Sequence, residues 1–137
     1  MRVILCDLDG ALFDSTAAVV RAWRWWAKHR DIDVARVEAV MHGRPSTEVV
    51  RLVAPGLDAV AEAERMEAHE ARDVEGLVAL PGARELMDET PSDRLAAVTS
   101  GTRPVATARS RAVGLPMPPV LVTAERVKCG KTHPEGY

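Results

Sequence analysis

The chain opens Met1-Arg2-Val3-Ile4-Leu5-Cys6-Asp7-Leu8-Asp9-Gly10, an apolar run that ends on two carboxylates flanking one leucine. A charged group at the end of a buried strand needs a partner, because an unpaired buried charge is costly. Two acids this close can share a hard cation, and one of them can also attack phosphorus. In open α/β sheets such groups belong just beyond the carboxyl ends of the strands, where ligands bind. Two other short stretches offer polar groups in similar settings: Thr99-Ser100-Gly101 after the apolar run Leu95–Val98, and Gly130-Lys131-Thr132-His133-Pro134 near the end of the chain.

The pattern predicts which elements hold these residues. Val3–Cys6 reads as a buried strand, and residues 9–15 as the loop after it. Ser15 or Thr16 can cap a following helix by accepting from a first-turn N–H. From Thr16 to about His29, Val19, Ala22, Trp23 and Trp26 recur at helical spacing on one face, with Trp25 off the stripe. Tryptophans at that spacing point to helix packing rather than ligand stacking. Residues 34–54 predict a helix pair broken at Gly43 and Pro45, and residues 58–73, rich in Ala, Glu and Arg, a further helix. Pro81-Gly82 then opens a helix to about Glu89, and Leu95–Thr99 reads as a second strand. Pro104 suits the first turn of a helix that ends at Gly114, and Val120–Thr123 reads as a third strand. Strands alternating with helices predict an α/β fold with a parallel sheet. Continuous apolar strands predict burial on both faces.

The length of 137 residues suits one ordinary domain. Hydrophobic residues at 47% with charged ones at 28% mark a globular chain rather than a disordered one. Only five residues are aromatic, so the core must be built largely from Ala, Val and Leu. A net charge of -2 leaves no basic footprint for nucleic acid, and no apolar stretch reaches membrane-spanning length. Two cysteines make no disulfide framework; Cys6 reads as a small buried hydrophobe. The expected location is the cytoplasm. His29, His69 and His133 lack metal-type partners at recognisable spacing and read as surface residues.

Asp7-Leu8-Asp9-Gly10-Ala11 resembles the first signature of the haloacid dehalogenase-like (HAD) hydrolases, Asp-x-Asp-Gly-Thr. Arg94–Gly101 resembles the second motif, and Gly130–Tyr137 the third, usually Gly-Lys-Pro-x-Pro with an aromatic three residues on. The stretches Leu80–Ala83, Val98–Gly101 and Val122–Val127 are similar to sugar-phosphate phosphatases of the β-phosphoglucomutase-like subgroup. The resemblance implies a partial Rossmann-like parallel sheet (residues 1–15 and 81–137) with an inserted helical cap (16–80). It implies that Asp7 is the nucleophile, forming an aspartyl-phosphate, and that Asp9 is the general acid and base. It also implies Mg²⁺ held by Asp7 and by the backbone carbonyl of Asp9. Ser100, the Gly101 N–H and Lys131 would bind phosphate, and His42 and Arg44 of the loop at residues 42–47 would face the substrate. Lys128, three residues before Lys131, is the competing cation.

The chain departs from the family pattern at Ala11 and at Thr132, and it stops at Tyr137 before the acidic fourth motif. The missing strand would lie beside Val3–Asp9, so that strand is expected to present an unpaired apolar edge able to self-associate. The function implied is Mg²⁺-dependent hydrolysis of a small sugar or polyol phosphate. The alternatives are a sugar-phosphate mutase of the same subgroup, or a truncated remnant with impaired catalysis.

Overall fold

Three short parallel strands lie at the centre of one half of the molecule, in a computed structural model that describes residues 2–137. They are β1 (Ile4–Cys6), β4 (Leu95–Val98) and β5 (Val120–Val122), in the order β1-β4-β5. Ile4 pairs with Leu95, Leu5 with Ala96 and Cys6 with Ala97; Ala97 in turn pairs with Leu121 and Val98 with Val122. The expected neighbours are in place. The expected burial holds for β4, which is buried at every residue. It fails for β1: Val3 is 48% and Leu5 50% exposed, because β4 covers only one edge of this strand among the described residues.

Four helices follow the first strand: α1 (Thr16–His29), α2 (Val34–Glu38), α3 (Ser46–Val53) and α4 (Ala59–Glu70). Asp33 and Asp58 cap α2 and α4 by accepting first-turn N–H groups. The four helices gather around Trp23, Trp26, Val37, Val49, Val50 and Met66. Trp23 and Trp26 meet edge to face with ring centroids 5.5 Å apart, a favoured aromatic geometry. Trp25 packs against the rim of this cluster and stacks on His69 at 4.1 Å, so His69 is half-buried rather than a simple surface residue.

A second, separate cluster forms against the sheet from Leu8, Phe13, Leu95, Ala97 and Leu121. It is joined by Ala83 and Met87 of α5 (Ala83–Glu89) and Ala106 of α6 (Arg103–Ala112). The two passages between the clusters run side by side. β2 (Phe13–Asp14) pairs antiparallel with β3 (Val78–Ala79), a ribbon that replaces the loop expected over residues 9–15. Two-residue strands 64 positions apart leave no periodic signal, which is why the pattern missed them. Among the described residues no helix is long and apolar enough to cross a membrane.

Candidate active site

Polar groups follow the carboxyl ends of the strands of the parallel sheet. β1 runs into Asp7 and Asp9, β4 into Thr99 and Ser100, and the loop after β5 carries Lys131. The turn at Gly10 bends the chain back sharply, with φ at +80°, a conformation open to glycine at little cost. Its N–H donates to the Phe13 carbonyl at 2.8 Å.

Lys131 Nζ lies 2.8 Å from Asp7 Oδ2 and donates to the Val98 carbonyl at 2.9 Å. The other Asp7 oxygen accepts the Leu8 N–H at 2.8 Å. Lys128, the competing cation, lines only the neighbouring cavity. Asp9 Oδ1 accepts from Ser15 Oγ at 2.6 Å and from Arg109 Nη1 at 2.7 Å. Ser15 therefore does not cap α1: it stands at the cap position, but its hydroxyl goes to Asp9, and the Thr16 N–H is taken by Asp14 Oδ1 at 2.9 Å. Asp7, Asp9, His42, Arg44, Ser100, Gly101 and Lys131 all line one cavity of about 260 Å³, roofed by residues of α1 and of the loop before α3. A larger cavity of about 620 Å³ adjoins it, sharing Ser46, Thr99, Ser100 and Lys131.

Two of the expected groups also hold partners of their own. The Gly101 N–H donates to Thr99 Oγ1 at 3.1 Å, so it is already engaged. Arg44 is exposed and pairs with Glu48 at 3.3 Å, one helical turn away. His133 is exposed, as expected, but the spacing hid two neighbours. The turn at Pro134–Gly136 folds Glu135 back so that Cys129, His133 and Glu135 bring ligand atoms within 4.8 Å of one another. The Glu135 carboxylate accepts the N–H groups of Lys128 and Cys129 at 3.0 and 2.8 Å, which ties the loop together. Cys6 is half-buried and donates to the Ala96 carbonyl. Burial, and then the neighbouring Asp7 charge, push its thiol pKa up, against a nucleophilic role.

Arg109 and Glu70 were not singled out from the pattern. Arg109 is one of three arginines in α6 and Glu70 one of four glutamates in α4. No feature of the sequence marks them, since only the packing of α4 against α6 brings them together. Arg109 is 2% exposed and bonds Asp9 on one side and Glu70 on the other. Burial pushes the Glu70 carboxyl above the usual carboxylate range, while the Arg109 charge and hydrogen bond pull it back.

The donors at the strand ends are oxygens, and the Asp7 side chain is 40% exposed towards the cavity. That set suits a hard divalent cation such as Mg²⁺, which takes one or two carboxylates and fills its shell with water and phosphate oxygens.

A parallel sheet with acids, a hydroxyl and a lysine converging at its carboxyl edge, roofed by helices, defines an α/β protein with its polar site at the strand ends. The chain belongs to the haloacid dehalogenase-like hydrolases, whose family model matches residues 1–137. It is 45% identical over 138 residues to hexitol phosphatase A of Escherichia coli strain K12, covering 97% of this chain and 64% of that one. It is 31% identical to glycerol-1-phosphate phosphohydrolase 2 of Saccharomyces cerevisiae, covering all of this chain and 57% of that one. Among solved structures, a hydrolase from Pseudomonas syringae superposes with a TM-score of 0.77 at 26% identity, covering 99% of this chain and 67% of that one. The chain thus spans somewhat over half the length of the curated relatives it matches.

Proposed function

We propose that this chain carries the phosphate-handling site of a phosphoric monoester hydrolase acting on a small sugar or polyol phosphate. The observation that carries the reading is the Asp7–Lys131 pair at 2.8 Å, beside Asp9 and Ser100 on one cavity. The names of the relatives, a hexitol phosphatase and a glycerol-1-phosphate phosphohydrolase, support the substrate class.

In this reading an Asp7 carboxylate oxygen attacks phosphorus in line with the ester oxygen. The new oxygen–phosphorus bond makes an aspartyl-phosphate as the ester bond breaks, and the departing alkoxide takes a proton from Asp9. Water then attacks the phosphorus, Asp9 takes back a proton, and inorganic phosphate leaves with Asp7 restored. Lys131 offsets charge on Asp7 and on the phosphoryl oxygens, and the Ser100 hydroxyl donates to one of them. Asp7 and the Asp9 carbonyl would hold Mg²⁺, which supplies charge neutralisation at the phosphoryl oxygens. The helices α1–α4, as the cap over residues 16–80, keep bulk water from the cavity, and His42 and Arg44 face the polyol end of the substrate.

The test is phosphate release from hexitol phosphates and glycerol 1-phosphate, with and without Mg²⁺. Release that depends on Mg²⁺ and disappears in Asp7→Asn is expected. Isomerised sugar phosphate without free phosphate would point to a mutase instead, and neither product would end the reading.

A further inference from the structure

One buried cation joins the two halves of the molecule. Arg109 belongs to α6, on the sheet side, and Glu70 is the last residue of α4, on the helical side. Both are buried, at 2% and 7% exposure. The guanidinium spans them, with Nη2 on Glu70 Oε1 and Nη1 on Asp9 Oδ1. Ser15 Oγ, at the start of α1, donates to that same Asp9 oxygen. Donors from α6 and from the residue before α1 therefore meet on one carboxylate oxygen, and α4 is tied to it through Arg109.

This is not how a purely stabilising ion pair is built. A buried arginine contributes to stability only when its donors are satisfied, and Arg109 Nε is buried with no partner among the described residues. The fork is spent instead on holding two acids from different halves of the molecule, and all three side chains line the cavity that contains Asp7. Both donors to Asp9 fall on Oδ1, and among the described residues none falls on Oδ2. One oxygen is clamped, and the other is left for proton exchange with a substrate oxygen.

We propose that Arg109 is a positioning residue, anchored by Glu70, that sets the direction of the Asp9 carboxylate and makes it depend on where α4 sits over the sheet. The inference rests on the phosphatase reading, in which Asp9 exchanges the proton. Glu70 makes no hydrogen bond to Asp9, yet its removal releases one end of the fork. Movement of α4 away from α6 acts in the same way, so the acid–base group is in register only when the helices are seated.

The test is a double-mutant cycle in the intact protein. Glu70→Gln keeps the size of the side chain and removes its charge. It is expected to lower kcat on a polyol phosphate by roughly 10-fold with KM little changed, the pattern of an interaction felt only in the transition state. In an Asp9→Asn background the same change is expected to alter kcat by less than about 2-fold, because coupled positions are not additive. Arg109→Lys, which keeps a charge in reach of both acids, should retain more activity than Arg109→Met. It also serves as the second entry to the cycle if Glu70→Gln does not fold. Wild-type kcat in folded Glu70→Gln, or equal losses in both backgrounds, would overturn the proposal and leave the phosphatase reading intact. A wild-type protein that releases no phosphate would sink that reading instead. The positioning claim is then decided by the crystal structure of Glu70→Gln, where an Asp9 carboxylate unmoved from Ser15 and Arg109 rejects it.

Discussion

Glu62 and Asp9 are both carboxylates bonded by arginine, and their surroundings differ in every other respect. Glu62 is 6% exposed inside the helical unit. It accepts the Trp26 indole at 2.9 Å, both arms of Arg30 at 2.6 and 2.7 Å, and Arg65 at 3.1 Å. All of these partners come from α1, its cap and α4, and their hydrogen bonds, Arg30's first, hold the carboxyl below the usual carboxylate range. Asp9 lies on a cavity, and its arginine is shared with the other half of the molecule. The helical unit buries Glu62 by saturating it, while Asp9 keeps one oxygen without a donor among the described residues. A saturated acid serves the fold; an acid with an open side is free to exchange protons or bind an ion. The same contrast holds for apolar surface. The helical unit closes around two tryptophans, whereas Leu5 of β1 and Val3 just before it are half-exposed.

If the contrast is right, substitutions on the sheet side change turnover and spare stability. Asp7→Asn is nearly isosteric and should remove phosphate release by a factor on the order of 10⁶, the scale for losing a nucleophile. Asp9→Asn should cost roughly 10²–10⁴, the scale of general acid–base catalysis. Asp7→Asn should unfold at a temperature close to that of the wild type. Steady-state rates beside thermal unfolding curves decide it, and a folded, active Asp7→Asn would break the comparison at its strongest point.

The same contrast explains what the sequence made legible. Asp7 and Asp9 follow an apolar strand directly, and Ser100 follows another, so local order alone points to the strand ends. The helices were legible from Trp23 and Trp26 at three-residue spacing and from the breaks at Gly43 and Pro45. What stayed hidden depends on tertiary packing. Ser15 has the type and place of a helix cap, and only the fold turns its hydroxyl to Asp9. Arg109 and Glu70 lie amid like residues, and long-range packing alone selects them. β1 looked buried because its residues are apolar, but burial depends on which strands stand beside it.

On the helical side the order of effects reverses. Glu62→Ala strands the Trp26 N–H and the Arg30 fork, and breaking a buried pair in this way should cost about 3 kcal/mol. The unfolding temperature should drop by roughly 10 °C, with kcat of the folded fraction unchanged. An undisturbed unfolding temperature would mean that the saturated acid is not a stabilising device.

Gly130 tests the seam between the two halves. A Cβ there would lie 2.6 Å from Pro45 Cγ and 3.2 Å from Cδ, against a ring that cannot swing away. Gly130→Ala must therefore displace the loop that carries Lys131, or the start of α3. Overpacking of this kind costs about 1–2 kcal/mol, and kcat should fall several-fold as the Asp7–Lys131 pair is pulled out of place. Full activity would show that the contact between loop and helix is not needed to hold the lysine.

The smallest effect concerns an acid of the helical unit that is not saturated. Glu67, on α4, lines the larger cavity. Burial pushes its carboxyl up to about 7, the nearby Glu70, Glu125 and Glu64 charges add to this, and a Ser46 hydrogen bond opposes it. In the unfolded chain the group titrates near 4.5. Between these two values the folded state binds more protons than the unfolded one, so stability falls as pH rises through that window. Above it, Glu67 is charged in a place that disfavours charge. Glu67→Gln is neutral throughout and should be more stable than the wild type at pH 8 by about 1 kcal/mol, allowing for solvent screening of a half-buried group. The advantage should vanish at pH 4, below both values, where the wild-type carboxyl is protonated in either state. Urea unfolding of both proteins at the two pH values measures the difference directly. A gain of the same size at both would trace it to packing rather than charge. No gain at either would mean that α4 presents a well-solvated acid to the cavity, and that the helical unit saturates or solvates all of its carboxylates.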